Sequence, residues 1–216
     1  MTQVDVSETA RTRARYQRIS RIYDLMEILP ERRYAPWRKR LWALVEGTDV
    51  LEVGVGTGKN VPYYPPGMNI SAIDLTPGML ARVRERKAAL KRDVTLYLGD
   101  VQALEFPDDS FDAAVATFVF CSVPDPVLGL HELNRVVKPG GQVLLLEHVR
   151  SANVIMGVFM DVFDPLMVRL MGPHINRRTV ENVQKAGLTL EQVDDMGMGG
   201  IFKLIQARKE MTTNAS

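Results

Sequence analysis

The sequence predicts an α/β fold: a mostly parallel sheet with helices on both faces, closed by an antiparallel hairpin. Two observations carry this. Short aliphatic runs of strand length alternate five times with longer, helix-patterned segments over residues 49–149, as in a parallel sheet joined by crossover helices. Past residue 187 the alternation stops, and two strand-like runs flank a glycine-rich tetrad, the pattern of a hairpin. With 216 residues, 46% of them apolar, the chain reads as a single domain over 1–216 with a real core.

Each element has its own signal. In residues 8–29, Tyr16, Ile19, Tyr23 and Met26 share one helical face, and Pro30 is the predicted stop. A second helix is predicted from Pro36 to Val45, ending near Gly47, so residues 8–46 form a helical leader. Asp49-Val-Leu-Glu-Val-Gly54 and Met68–Asp74 read as buried strands. Thr76-Pro77 opens a helix, with threonine as N-cap and proline at the first helical position. Val94–Leu98 and Phe111–Ala116 are the next strands. Asp125-Pro126 caps a helix burying Leu130, Leu133 and Val137, which Lys138-Pro-Gly-Gly stops. Gln142–Val149 is the fifth strand. Residues 153–171 form an apolar, methionine-rich helix, expected to break at Pro165. Asn176 or Thr179 caps a further helix ending at Gly187. Leu188–Asp194 and Ile201–Arg208 form the hairpin across Gly197-Met-Gly-Gly. Residues 209–216 are polar and expected to fray.

Composition narrows the chemistry. The net charge is +1, and a single cysteine, Cys121, allows neither an internal disulfide framework nor a cysteine-cluster metal site. His131, His148 and His174 are too scattered for a compact metal motif, so no metal is expected. No run of 18 apolar residues suits a membrane-spanning helix. The first 15 residues lack the apolar stretch of a secretory signal, so a cytoplasmic setting is expected. The mean charge hides an asymmetry. Between Arg11 and Ala43, ten basic residues face three acidic ones, +7 against −6 for the remainder. Trp37, Trp42, Tyr16, Tyr23 and Tyr34 lie in the same stretch. Basic and aromatic residues on helices suit an anionic membrane surface, though a solvated face with a few core aromatics reads equally well.

The site-building residues follow the strands. Glu52-Val-Gly54-Val-Gly56-Thr-Gly58 comes directly after the first strand. Glycine lets backbone turn sharply and approach a ligand, and the third glycine comes one residue too early for the dinucleotide fingerprint. Asp74 ends the second strand, where a carboxylate can accept ribose hydroxyls. Gly99-Asp100 ends the third and Thr117 the fourth. Ligands bind at such carboxyl ends in open α/β sheets.

These pieces, with Ala72-Ile-Asp74, Leu98-Gly-Asp100-Val101, Phe106-Pro-Asp-Asp-Ser-Phe-Asp112 and Arg135-Val-Val-Lys-Pro-Gly-Gly141, resemble the S-adenosylmethionine-dependent methyltransferases. The resemblance implies a Rossmann-like seven-stranded sheet, with residues 49–149 as the core that binds S-adenosyl-L-methionine. It implies that Gly54, Gly56 and Gly58 pass beneath the cofactor's methionine part, with Glu52 and Asn60 supporting them. Asp74 and Leu75 would hold the ribose, Asp100 and Val101 the adenine, with Thr117 alongside and Tyr23 in a covering lid. Residues 150–187 would be acceptor-side helices that roof the pocket, and 188–208 the terminal hairpin. The leader Tyr16–Asp24 is similar to that of ubiquinone/menaquinone C-methyltransferases and bacterial phosphatidylethanolamine N-methyltransferases. Phe120-Cys-Ser-Val-Pro-Asp125 and Glu147-His-Val149 resemble a branch with thiol S-methyltransferases.

Methyl transfer needs alignment and exclusion of water more than it needs a metal or a covalent nucleophile. An amine acceptor must first lose a proton. Tyr16, Tyr23 and His148 are the catalytic candidates. The two tyrosines could also cage a methylated ammonium, and His148 stands where a base could act. The expected acceptor is a lipophilic small molecule or lipid head group, first a phospholipid amine, then a thiol, then a quinone carbon. Nucleic acid is not expected, while peripheral attachment to an anionic inner membrane face is. A non-catalytic module binding cofactor or membrane is the reading from a different class.

Overall fold

In the computed structural model, residues 4–170 and 172–211 are described. Seven strands form one sheet in the order β3-β2-β1-β4-β5-β7-β6. They are β1 Asp49–Val53, β2 Asn69–Asp74, β3 Thr95–Leu98, β4 Phe111–Thr117, β5 Val137–His148, β6 Leu188–Asp195 and β7 Phe202–Lys209. Pairing is parallel from β3 through β5, and antiparallel from β5 to β7 and from β7 to β6. The fold is therefore the expected α/β arrangement, with a topological switch between β1 and β4. Strand order reverses there and the chain leaves a crevice.

Apolar layers cover both faces. Leu51, Val53, Ala114, Ala116, Leu130, Leu133, Leu145 and Ile205 belong to one buried cluster. Val50, Ala72, Leu80, Val83, Val115, Leu144 and Leu204 belong to the other. Alternate residues of each central strand thus serve opposite layers, as a period of two dictates. Asp112 ties the amino ends of three strands. Its Oδ2 accepts from the backbone N–H groups of Thr48 and Asp49 at 2.8 and 2.9 Å, and its Oδ1 from Lys138 Nζ at 2.6 Å. These donors hold its carboxyl below the usual range.

The helices are α1 Val6–Ile19, α2 Tyr23–Met26, α3 Ile28–Trp42, α4 Pro77–Ala89, α5 Pro126–Val136, α6 Val154–Leu170 and α7 Thr179–Lys185. Asp125 caps α5 as expected, accepting from the N–H groups of Val127 and Leu128. Several boundaries differ from the sequence expectation. The leader is three helices. Pro30 does not end one but sits in the first turn of α3, where its missing N–H would have had no partner. Pro36 and Pro165 lie inside α3 and α6, and each helix continues through its proline. Thr76 precedes α4 in extended conformation but its hydroxyl donates to Asp74 instead of capping. α7 starts at Thr179, with no side-chain cap from Asn176 or Thr179. Lys138-Pro-Gly-Gly lies within β5, beside an irregularity in its pairing with β4. Met171 and residues 212–216, within the tail that the sequence expects to fray, lie outside the described residues.

Candidate functional site

The carboxyl ends of β1, β2, β3 and β4 meet at one cavity of about 770 Å³, open mouth included. The register Val53↔Ile73, Val53↔Ala116 and Asp74↔Leu98 brings these ends level. Gly54, Gly56, Asp74, Leu75, Gly99, Asp100, Val101 and Thr117 line its floor and walls. Tyr16 and Tyr23 of the leader close it from above. Gly58, expected beneath the cofactor, does not reach the wall, and neither do Glu52 and Asn60, which lie behind the glycine loop.

The loop has the backbone its sequence calls for. Gly54 and Gly56 adopt φ of +61° and +57°, a region that side-chain-bearing residues rarely occupy. A Cβ on Gly54 would fall 2.5 Å from a Val119 methyl. On Gly56 the nearest atom would be 3.9 Å away, so the space over this glycine is open. Asp74 holds the loop in place. Its Oδ2 accepts from the Gly56 N–H at 2.8 Å, and its Oδ1 from the N–H and hydroxyl of Thr76, both at 2.9 Å. Burial pushes its carboxyl up against these donors. Oδ2 keeps a lone pair for a further donor.

Behind the loop runs a buried polar chain. Glu52 accepts from Asn60 Nδ2 at 2.7 Å and from the Tyr64 hydroxyl. Burial pushes its carboxyl up to about 7. Asn60 Nδ2 also donates to Thr117 Oγ1 at 3.0 Å, and Asn60 Oδ1 accepts from Arg38 Nη1 at 3.1 Å. Arg38 in turn pairs with Glu31 at 3.1 Å and lies 5.5 Å from the Phe118 ring centre. The ten leader cations are therefore not one solvated face, since Arg38 is buried and Arg40 pairs with Asp194. Trp42 is also core, packed on Tyr64, and Trp37 stacks on Tyr34 and Phe202. Of these leader aromatics only Trp42 is fully buried, while Tyr34 and Trp37 are half-buried.

The leader is latched over the cavity. Asp24 accepts from Thr57 Oγ1 at 2.6 Å and pairs with Arg86 at 2.8 Å and Lys59 at 3.2 Å. Gln17 Oε1 accepts from the Gly78 N–H at 2.9 Å, and Asp100 Oδ2 from Thr9 Oγ1 at 3.2 Å. The Tyr16 hydroxyl lies 2.5 Å from Ser122 Oγ, and the rings of Tyr16 and Tyr23 are 6.5 Å apart. Burial pushes both phenols up, so both stay protonated as hydrogen-bond donors.

His148 is not on the cavity wall. It packs edge-on against Phe202 at 5.2 Å, and burial pulls its imidazole down. Cys121 and His174 are also off the wall; His174 Nδ1 lies 2.7 Å from Asp164. Among the described residues none of α6 lines the cavity, which the leader covers. The sequence reading missed Thr12, Met79, Val119 and Ser122 on the wall. Ser122, next to Cys121 in an already marked strand-end loop, was the findable one. The others are brought in by tertiary packing alone.

Comparison with known proteins agrees with this geometry. Residues 51–145 match the family model of the methyltransferase domain. The chain is 40% identical over 104 residues to a phosphatidylethanolamine N-methyltransferase of Cereibacter sphaeroides, covering 47% of this chain and 51% of that one. It is 31% identical over 152 residues to a thiol S-methyltransferase of Rattus norvegicus, covering 67% and 62%. The chain thus spans between half and two thirds of the length of these relatives. A solved SAM-dependent methyltransferase from Thermotoga maritima shares the fold with a TM-score of 0.69 at 21% identity, over 91% of this chain and 99% of that one.

Proposed function

We propose that this chain, in which residues 51–145 are a methyltransferase domain, moves a methyl group from S-adenosyl-L-methionine to a lipophilic small molecule or lipid head group, first a phospholipid amine. The supporting observation is the open space over Gly56 beside the Asp74 carboxylate, at the bottom of a cavity roofed by Tyr16 and Tyr23. The residues present fit the cofactor. Gly54 and Gly56 offer close backbone approach, Asp74 keeps acceptor capacity for a ribose hydroxyl, and Asp100, Val101 and Leu75 complete the wall. When bound, the cofactor supplies a methyl group already activated on a sulfonium.

The chain's own residues then orient and enclose. Glu52, Asn60 and Thr117 hold the loop from behind, while Asp24 and Gln17 hold the leader down. Tyr16 is fixed by Ser122. The Tyr23 hydroxyl has no hydrogen-bond partner among the described residues, so it is free to orient an acceptor. Alignment of this kind is worth up to about 7–11 kcal/mol in favourable systems. Contact of the basic leader with an anionic membrane surface belongs to the same reading, as does one working unit of leader, core, helices and hairpin.

One observation favours a thiol as the second acceptor. The titratable groups on the wall are Tyr16, Tyr23, Asp74 and Asp100. Both phenols are pushed up and both carboxylates already accept hydrogen bonds. A thiol, with a reference pKa of about 8.5, asks least of such a site. Labelled S-adenosylmethionine offered with phosphatidylethanolamine, alkyl thiols, demethylquinones and RNA separates the readings. Label in thiols alone selects the second, label in RNA alone overturns both, and tight cofactor binding without any labelled product leaves a non-catalytic module.

Tyr23→Phe is expected to lower kcat about tenfold or more while changing cofactor affinity less than threefold, as for loss of one orienting hydrogen bond. His148→Gln, away from the wall, is expected to leave both constants near wild type. Equal, unchanged constants in Tyr23→Phe would reduce Tyr23 to packing.

A further inference from the structure

α6 is apolar around nearly its whole circumference, yet it lies on the surface. Gly157, Met160 and Asp164 are buried, at spacings of three and four, and form the narrow seam that holds it. Outside that seam Val154, Ile155, Val158, Phe159, Val162 and Leu166 are exposed, Ile155 to 83%. Phe159 and Phe163 stack with ring centres 4.2 Å apart, both exposed. A helix apolar on all sides is ordinarily enclosed by protein or lipid, and a large exposed apolar patch marks an interaction site. Its 17 residues, with Asp161, Asp164 and Arg169 among them, fall short of the roughly 20 predominantly apolar residues that span a bilayer, and no described helix is long and apolar enough to do so. Fastened to the protein along its seam, it can meet lipid only side-on, with its exposed apolar side.

A second apolar group stands on the leader, where Ile22, Leu25, Met26, Ile28 and Leu29 are exposed, Leu29 to 74%. Hydrogen bonds tie the carboxyl end of α6 to the leader's first helix and to the loop beneath it. Arg15 Nη1 donates to the Gly172 carbonyl, just past α6, at 3.1 Å. Asp164 of α6 holds His174, whose backbone N–H donates to Cys121, the neighbour of the Ser122 that fixes Tyr16. The carboxyl end of α6 thus lies close to the loop that fixes Tyr16, and the leader group flanks Tyr23 in sequence, although neither group lines the cavity itself.

Charge selects the occupant. Arg11, Arg13, Arg18, Arg21, Arg32 and Arg33 are exposed and form no ion pair among the described residues. The acids of α6 are already engaged, Asp161 by Arg150 and Asp164 by His174. A second copy docked here about a two-fold axis would set two unpaired basic leaders side by side. An anionic lipid surface would neutralise them.

We propose that α6 and the Ile22–Leu29 segment insert together into the surface of an anionic bilayer, α6 lying in its plane, so that the cavity opens at the boundary of head groups and acyl chains. What enters the cavity rests on the methyltransferase reading; the docking itself does not.

The test uses Ile155→Cys carrying an environment-sensitive fluorophore. Cys121 is buried and escapes labelling. Vesicles of phosphatidylcholine with 30% phosphatidylglycerol, without cofactor or acceptor, are expected to shift the emission to the blue, and brominated acyl chains to quench it. Ile155→Glu with Phe159→Glu is expected to cut partitioning at least tenfold, with thermal midpoint and cofactor affinity unchanged. Charge reversal at Arg11, Arg13, Arg18 and Arg21 is expected to remove the dependence on anionic lipid, as is roughly 0.5 M salt. Vesicle binding with the label still in water would leave the leader as the sole contact and overturn the proposal. So would indifference to vesicles together with a dimer that the α6 substitutions dissociate. Because docking is read without turnover, a chain that docks but never methylates refutes the enzymatic reading alone, and a chain that methylates without docking refutes this one.

Discussion

Valine at Gly56 is expected to abolish binding of S-adenosyl-L-methionine by titration calorimetry. The backbone sits at φ +57°, where a β-branched residue is strained. The added side chain would fill space that the protein itself leaves empty, its nearest neighbour being the Gly54 carbonyl oxygen at 3.9 Å. Relief of the strain would swing the Gly56 N–H away from Asp74, loosening the carboxylate that a ribose must meet. Gly67→Val is the control. It has φ +83°, equally open surroundings and a place away from the cavity, so it is expected to cost stability without touching affinity. Asp74→Ala is expected to weaken binding by about 1.5–3 kcal/mol, the range for hydrogen bonds to a charged group. Wild-type affinity in both Gly56→Val and Asp74→Ala would place the site elsewhere.

Removal of Arg38 is expected to have the largest effect on stability. Its guanidinium is buried between Glu31, Asn60 and Phe118. Arg38→Ala strands the buried Asn60 carbonyl oxygen and the partly exposed Glu31 carboxylate; breaking a fully buried pair costs about 3–5 kcal/mol, and water reaching Glu31 sets that as the upper end here. Urea unfolding measures it. Cofactor affinity should fall as well, because Asn60 also fixes Glu52 and Thr117. Arg38→Lys is expected to recover only part of the loss, since an ammonium cannot reach two partners in one plane. An unchanged urea midpoint in Arg38→Ala would mean that leader and glycine loop are not coupled through this residue.

The strand ends and the residues on them were legible because their signals are local. The first strand, its glycines, Asp74 and Asp100 each stand in a short window with a fixed period or turn chemistry. The register of the sheet then gathers those windows at one edge without help from side chains. The leader was harder to read. Arg38 counts as a surface cation until Asn60 and Phe118 are known to lie against it, and Trp42 as a membrane aromatic until Tyr64 meets it. Those partners are 22 to 80 residues away in sequence. Pro30, Pro36 and Pro165 misled for a related reason. A proline weakens a helix by a local amount, and packing of the whole helix can override it. The periodicity of α6 announced a helix but not which way it faced, because a segment apolar on every side carries no face in its sequence.

The two buried glutamates of the central strands have a consequence for proton balance. Glu52 and Glu147 are enclosed, and Glu147 Oε2 has no hydrogen-bond partner among the described residues. Burial pushes each carboxyl up to about 7, so near pH 6 the folded chain keeps protons that the unfolded chain releases. Unfolding at that pH should liberate up to about two protons, and this contribution to stability should decline as pH rises from about 4.5 towards 7. Asp112, held low, acts in the opposite sense and only in acid. The released protons pass to the buffer. The calorimetric enthalpy of unfolding near pH 6 should therefore depend on the buffer's own heat of ionisation, and replacing Glu147 by Gln should halve that dependence.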